Sequence, residues 1–144
     1  IQDSFKYCHL AKIADEEWSV ATGHDDLDAG IQAVLDRGVE MLVISRGANG
    51  ALVTNGDYRL EINARKDIDV VETLGAGDAF MGAMITRLLP EFERLGSLRD
   101  VDKQTMQEAL HFANTVGALA CTKPGAIPAL PTLAEVEAFL AKQG

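Results

Sequence analysis

The chain has 144 residues, 47% of them hydrophobic and 24% charged, with 13 glycines and a net charge of −9. That length accommodates a single α/β domain over residues 1–144 with a real core, and requires no second domain. The acidic balance argues against a nucleic-acid or anionic-membrane partner, either of which needs a basic patch, but it leaves room for a local anion site built from backbone amides. No apolar run is long enough to span a bilayer and no signal peptide is visible. Cys8 and Cys121 lack metal-ligand spacing, so the expectation is a cytoplasmic protein with reduced thiols.

Residues 7–13 form a short, mostly apolar run that predicts a strand. Ala14 and the acids Asp15, Glu16 and Glu17 then open a brief helix ending at Gly23, acids in a first turn being favoured by the helix dipole. In the next helix Leu27, Ile31 and Val34 share one face and Gly38 ends it, with His24 in an exposed turn before it. Met41–Ser45 is a continuous apolar run, the pattern of a strand buried on both faces. Together these segments predict a βαβ unit with parallel strands. A tight turn, Arg46-Gly47-Ala48-Asn49-Gly50, leads into a strand at 51–54, and Asn55-Gly56 predicts a hairpin to a partner strand at 58–62. Arg46 suits a phosphate and solvent equally, and Gly47 and Gly50 need nothing beyond turn geometry.

Residues 71–85 read as a strand end, a glycine loop and a helix with almost no polar face. Gly75 and Gly77 let the backbone approach a ligand closely. The helix that starts there aims its unpaired N–H groups and positive dipole end into the same space, which makes an anion site. Asp78 stands at its mouth. It is either one of the acids common in a first helical turn or a group that takes a proton, and the residues alone support both. A dinucleotide fingerprint needs a third glycine where Phe80 stands, and a P-loop needs a Gly-Lys-Ser/Thr that is absent. The helix is expected over 76–89, with Gly82 packed closely against another backbone, followed by an exposed connection over 90–103. Asp102 caps the next helix, whose apolar stripe includes Met106, Leu110, Ala113 and Gly117, with His111 and Asn114 off it. Residues 122–131 hold three of the four prolines and form a loop of fixed shape. Thr132 with Glu135 predicts a capping box on a last amphipathic helix through Leu140.

The run Gly75-Ala76-Gly77-Asp78-Ala79-Phe80 with Gly82 resembles the second signature of the ribokinase (PfkB) carbohydrate-kinase family. Other features follow in the matching order: Lys12 to Glu17, then Gly47-Ala48-Asn49-Gly50, then the 122–131 loop, which is most similar to fructokinases. The resemblance covers essentially the whole chain but only the C-terminal half of the family's fold. The fold expected is a layered, mainly parallel α/β sheet flanked by helices on both sides, with one antiparallel edge hairpin.

The resemblance implies ATP-dependent phosphorylation of a sugar hydroxyl, with fructose first and ribose, 2-keto-3-deoxygluconate or a riboside as alternatives. From a different class stands a nucleotide-binding module without catalysis. By position, Asp78 is the implied general base, and the amides of Gly75, Ala76 and Gly77 the implied anion hole. Gly47 and Gly50 are placed near the ATP phosphates, Asn114 with Gly125 and Ala126 beside the adenine. Glu17 matches the acidic end of a motif that orders Mg²⁺ and phosphate through water. Glu72 falls at a position associated with K⁺, with the 125–126 loop contributing to the same site. Three departures matter. Ala14 replaces an Asn of the family, Glu72 replaces an Asp, and the family's N-terminal half, which supplies most sugar contacts and the lid, has no counterpart. This piece alone is therefore expected to be inactive or weak, with an uncovered sheet edge that invites a homodimer.

Overall fold

The computed structural model describes residues 2–142, and among them four strands form one sheet in the order β1 (Leu10–Ala14), β2 (Met41–Ser45), β3 (Ala51–Thr54), β4 (Arg59–Ile62). β1 and β2 pair parallel, whereas β2–β3 and β3–β4 pair antiparallel. The expectation of a mainly parallel sheet is thus corrected to a mixed one. Chain length explains it, because a parallel pair needs a crossover of a dozen or more residues while tight turns return the chain antiparallel. Only the segment between β1 and β2 is long enough, and it carries α1 (Trp18–Thr22) and α2 (Leu27–Leu35). The hairpin at the β4 edge is as expected.

Side chains alternate across the sheet and divide the core in two. Ala11, Ile13, Leu42, Ile44 and Leu52 face α1 and α2, meeting Trp18, Ile31 and Val34. Met41, Val43, Ala51 and Val53 face the other way. There they pack under α3 (Ala76–Leu95) and α4 (Lys103–Ala120), with α5 (Leu133–Ala141) contributing Val136. Helices therefore cover both faces, and this double cover is why β2 and β3 read as unbroken apolar runs.

Several expected bounds move. Residues 2–7 coil into a 3₁₀ helix that buries Phe5, so the first strand starts at Leu10 rather than at Tyr7. No strand forms at 69–71; instead the amides of Val71 and Glu72 both donate to the Cys121 carbonyl, at 2.8 and 3.2 Å. α3 continues through Pro90 to Leu95. Pro90 is exposed and costs one N–H, while Phe92 and Leu95 beyond it pack against the core and hold the helix on course. The segment after it is not an open connection, since Leu98 and Val101 are buried and the Leu98 amide donates to the Glu40 carboxylate at 2.7 Å.

α3 also has a wet face. Ile85 and Leu89 are about half exposed and border a shallow apolar groove of about 160 Å³ with His9, Leu10 and Phe92, beside the free edge of β1. Gly82 is not a point of close packing, because a Cβ there would meet nothing within 4 Å. The close approach is at Gly117 on α4, where a Cβ would lie 3.2 Å from the Ala76 carbonyl oxygen and 3.3 Å from the Phe80 Cβ. The caps are as the sequence predicts. Asp102 accepts from the Thr105 amide at 2.9 Å, and Thr132 and Glu135 cap each other's backbone.

Candidate active site at the start of helix α3

Gly75 is the N-cap of α3 and takes φ +79°, the left-handed region that a side chain resists. The turn closes with the Ala76 amide on the Thr73 carbonyl at 3.2 Å and the Ala79 amide on Gly75 at 2.9 Å. Helices α2, α4 and α5 start with a side chain bonded to their first-turn amides, namely Asp26, Asp102 and Thr132, whereas none caps α3. The positive end of its dipole faces outward.

Three groups converge on this turn. The first is the 122–131 loop, which presses so closely that a Cβ on Gly75 would stand 2.8 Å from the Ala126 Cβ. The second is Glu72, whose Oε2 accepts from the Gly125 amide at 2.6 Å. The third is Lys12, whose Nζ lies 3.4 Å from where a Cβ on Gly77 would be. Lys12 was not singled out by sequence reasoning. The available signal was strand parity: Ala11 and Ile13 are buried under α2, so Lys12 must share the opposite face with Leu10. Among the described residues no ion pair engages Lys12. A cation at a helix N-terminus is electrostatically opposed, and an anion between the two relieves the opposition.

Asp78, exposed in the first turn of α3, borders a cleft of about 480 Å³. Its walls are Ala79, Gly82 and Ala83 of α3, Phe112 and Val116 of α4, and the end of the proline loop into α5 at Leu130, Pro131 and Leu133. Asn114, Gly125 and Ala126 are not among the residues that line it. Asn114 instead donates from Nδ2 to the Asn63 carbonyl at 3.1 Å. Gly50, at φ +89°, meets the same segment, and a Cβ on it would fall 1.8 Å from the Ile62 carbonyl oxygen. Gly50 and Asn114 thus converge on residues 62–64.

Gly47 is exposed in the 3₁₀ turn directly after β2, and Glu17 is exposed in the one directly after β1. Because those strands are parallel, both residues stand at their carboxyl ends, the rim where open α/β sheets bind ligands. Arg46, partly exposed, pairs through Nη1 with the exposed Glu61 carboxylate at 3.1 Å.

A sequence model described as pfkB family carbohydrate kinase matches residues 1–133. Fructokinase-1 of Oryza sativa subsp. japonica is 34% identical over 128 residues, covering 88% of this chain and 38% of that relative. Among solved structures, the fructokinase double mutant of Vibrio cholerae O395 in its fructose, ADP and potassium ion bound form superposes with a TM-score of 0.78 at 32% identity, over 95% of this chain and 42% of that one. Fructokinase with bound ATP from Xylella fastidiosa gives 0.89 at 27% identity, over 99% and 45%. The chain spans about two fifths of the length of the curated relatives it matches.

Proposed function

The chain belongs to the pfkB family of carbohydrate kinases, and on that premise we propose that its glycine turn serves ATP-dependent phosphorylation of a sugar hydroxyl, with fructose as the acceptor. The observation that carries this reading is the pairing at the start of α3. An uncapped helix N-terminus with the Lys12 ammonium beside it suits a phosphoryl group, and a carboxylate, Asp78, stands in the same first turn.

In this reading the sugar hydroxyl gives its proton to Asp78 as its oxygen attacks the γ-phosphorus, and the bond from that phosphorus to the ADP oxygen breaks. The amides of Gly75, Ala76 and Gly77, with Lys12, hold the charge on the transferring group. A placed base of this kind contributes about 10²- to 10⁴-fold in rate. Gly47 and Gly50 lie toward the phosphates, and Asn114, Gly125 and Ala126 lie beside the adenine.

Mg²⁺ bound to the nucleotide would neutralise phosphate charge. The exposed carboxylates in the turn after β1 fit such an ion, since Mg²⁺ in phosphoryl-transfer sites takes one or two carboxylates plus phosphate and water. Glu17, at the rim after β1, is the carboxylate proposed for it, with Asp15 and Glu16 in the same turn.

Calorimetric titration of the purified chain with ATP and Mg²⁺ tests the nucleotide half of the reading. ADP release with D-fructose, D-ribose and 2-keto-3-deoxygluconate tests the acceptor. Saturable ATP binding is expected, with any release above background greatest for fructose. A chain that binds no ATP sinks the reading, and a different preferred sugar replaces only the acceptor.

A further inference from the structure

The glycine turn and the proline loop are joined by a direct protein bond at the place where the family resemblance puts a potassium ion. The Glu72 Oε2 accepts from the Gly125 amide at 2.6 Å, a short bond of the charge-assisted kind. Two further bonds run from the Val71 and Glu72 amides to the carbonyl of Cys121, the C-cap of α4 just before the loop. At the far end Gly75 and Ala126 are in contact.

The Gly125 group that faces Glu72 is an N–H hydrogen, which repels a cation, and the Glu72 Oε2 that accepts from it would have to leave Gly125 to ligate K⁺ there. Side-chain length explains the difference. An Asp at position 72 would be shorter by one methylene, about 1.5 Å, and would leave a gap at Gly125 that a cation could fill. Glu72 closes that gap itself.

We propose that the Glu72 carboxylate replaces a bound monovalent cation as the link between the glycine turn and the 122–131 loop, so that nucleotide binding here is independent of potassium. The proposal rests on the reading of the glycine turn as the phosphate site. Glu72 acts through Gly125 and Ala126 on Gly75, which makes it a positioning residue.

Two measurements on the same chain separate the proposal from the reading beneath it. Amide hydrogen exchange at Gly125, followed by NMR, reports the tether without any nucleotide. It should be equally protected in potassium chloride and in choline chloride of equal ionic strength, and should lose protection about tenfold or more in Glu72→Ala. ATP titration in the two salts reports the consequence. The native chain should differ by less than about twofold, while Glu72→Asp should bind ATP more weakly in choline and recover in potassium.

A gain of about tenfold or more in ATP affinity of the native chain on adding potassium overturns the proposal. So does Gly125 exchange that depends on potassium in the native chain, a comparison that needs no variant to fold. If ATP binds in neither salt, the phosphate reading of the turn fails, and the exchange data still decide whether the tether is independent of cation.

Discussion

Alanine at Gly75 and alanine at Gly82 should move the stability of this chain in opposite directions. Both glycines belong to the same motif, yet their surroundings differ. At Gly75 the backbone sits at φ +79°, which costs an L-residue roughly 1–2 kcal/mol. The added Cβ would also meet the Ala126 Cβ at 2.8 Å and its Cα at 3.1 Å, and relieving an overlap against backbone costs roughly 1–3 kcal/mol more. The sum, about 2–5 kcal/mol, corresponds to a melting temperature lower by roughly 5–15 °C for a domain near this size. At Gly82 the helix is regular and a Cβ meets nothing within 4 Å. Alanine there gains about 1 kcal/mol of helix propensity, or roughly 2–4 °C. Thermal unfolding followed by circular dichroism, with both variants beside the native chain, reads the two shifts. If Gly75→Ala melts with the native chain, the contact between turn and loop is not there and the argument built on it is refuted.

Four further outcomes follow from the same geometry. Lys12→Met should weaken ATP binding by about tenfold or more, the loss of one charged contact, while leaving the melting temperature of the free chain unchanged or slightly raised; equal affinity would remove Lys12 from the site. Gly117→Ala should gain less than the about 1 kcal/mol of helix propensity expected at Gly82, because its Cβ meets the Ala76 carbonyl oxygen at 3.2 Å and the Phe80 Cβ at 3.3 Å, so that these neighbours must give way. The Thr132 backbone amide and the Lys123 ammonium hold the Glu135 carboxyl down at about 2, from an ordinary value of 4.5. A depressed folded pKa gives stability that is complete above the unfolded value and lost as pH falls through 4.5 toward 2, so Glu135→Gln should flatten the acid limb of a melting-temperature profile in that window. Burial, with Asp102 and Asp57 nearby, pushes the Tyr58 hydroxyl from 10.0 up to about 12. Its contribution is complete below pH 10 and lost as pH rises toward 12, so Tyr58→Phe should show a smaller alkaline loss.

The elements legible in the sequence were those specified by local chemistry. The Thr132–Glu135 box, the Asp102 cap and the Gly23 stop each depend on a few neighbouring residues, and each is in place. The β2 run was legible because burial on both faces leaves an unbroken apolar stretch. What was missed depended on distant partners. Val70 and Val71 carry strand propensity, yet they find no strand to pair with, and the amide of Val71 goes to Cys121, fifty residues away. Pro90 punctuates the sequence but not the helix, because the core contacts of Phe92 and Leu95 lie beyond it. Gly82 and Gly117 look alike in sequence, and only the crossing of α3 and α4 decides which one has no room. At the site, the turn at Gly75 and Asp78 was readable from spacing. Lys12 was not, because its role depends on α3 passing over the third residue of β1. The Glu72 tether likewise needed the position of Gly125.

The central claim is that Asp78 takes a proton beside a phosphate site, and one paired measurement tests it most directly. Asp78→Asn and the native protein are compared for sugar-dependent phosphoryl transfer and for ATP affinity on the same preparations. The account predicts that whatever weak transfer the native chain shows above background falls by about 10²- to 10⁴-fold, with ATP bound as tightly as before or more so, since a negative charge has left the neighbourhood of the phosphates. Transfer retained in Asp78→Asn, or ATP binding lost along with it, would contradict the account.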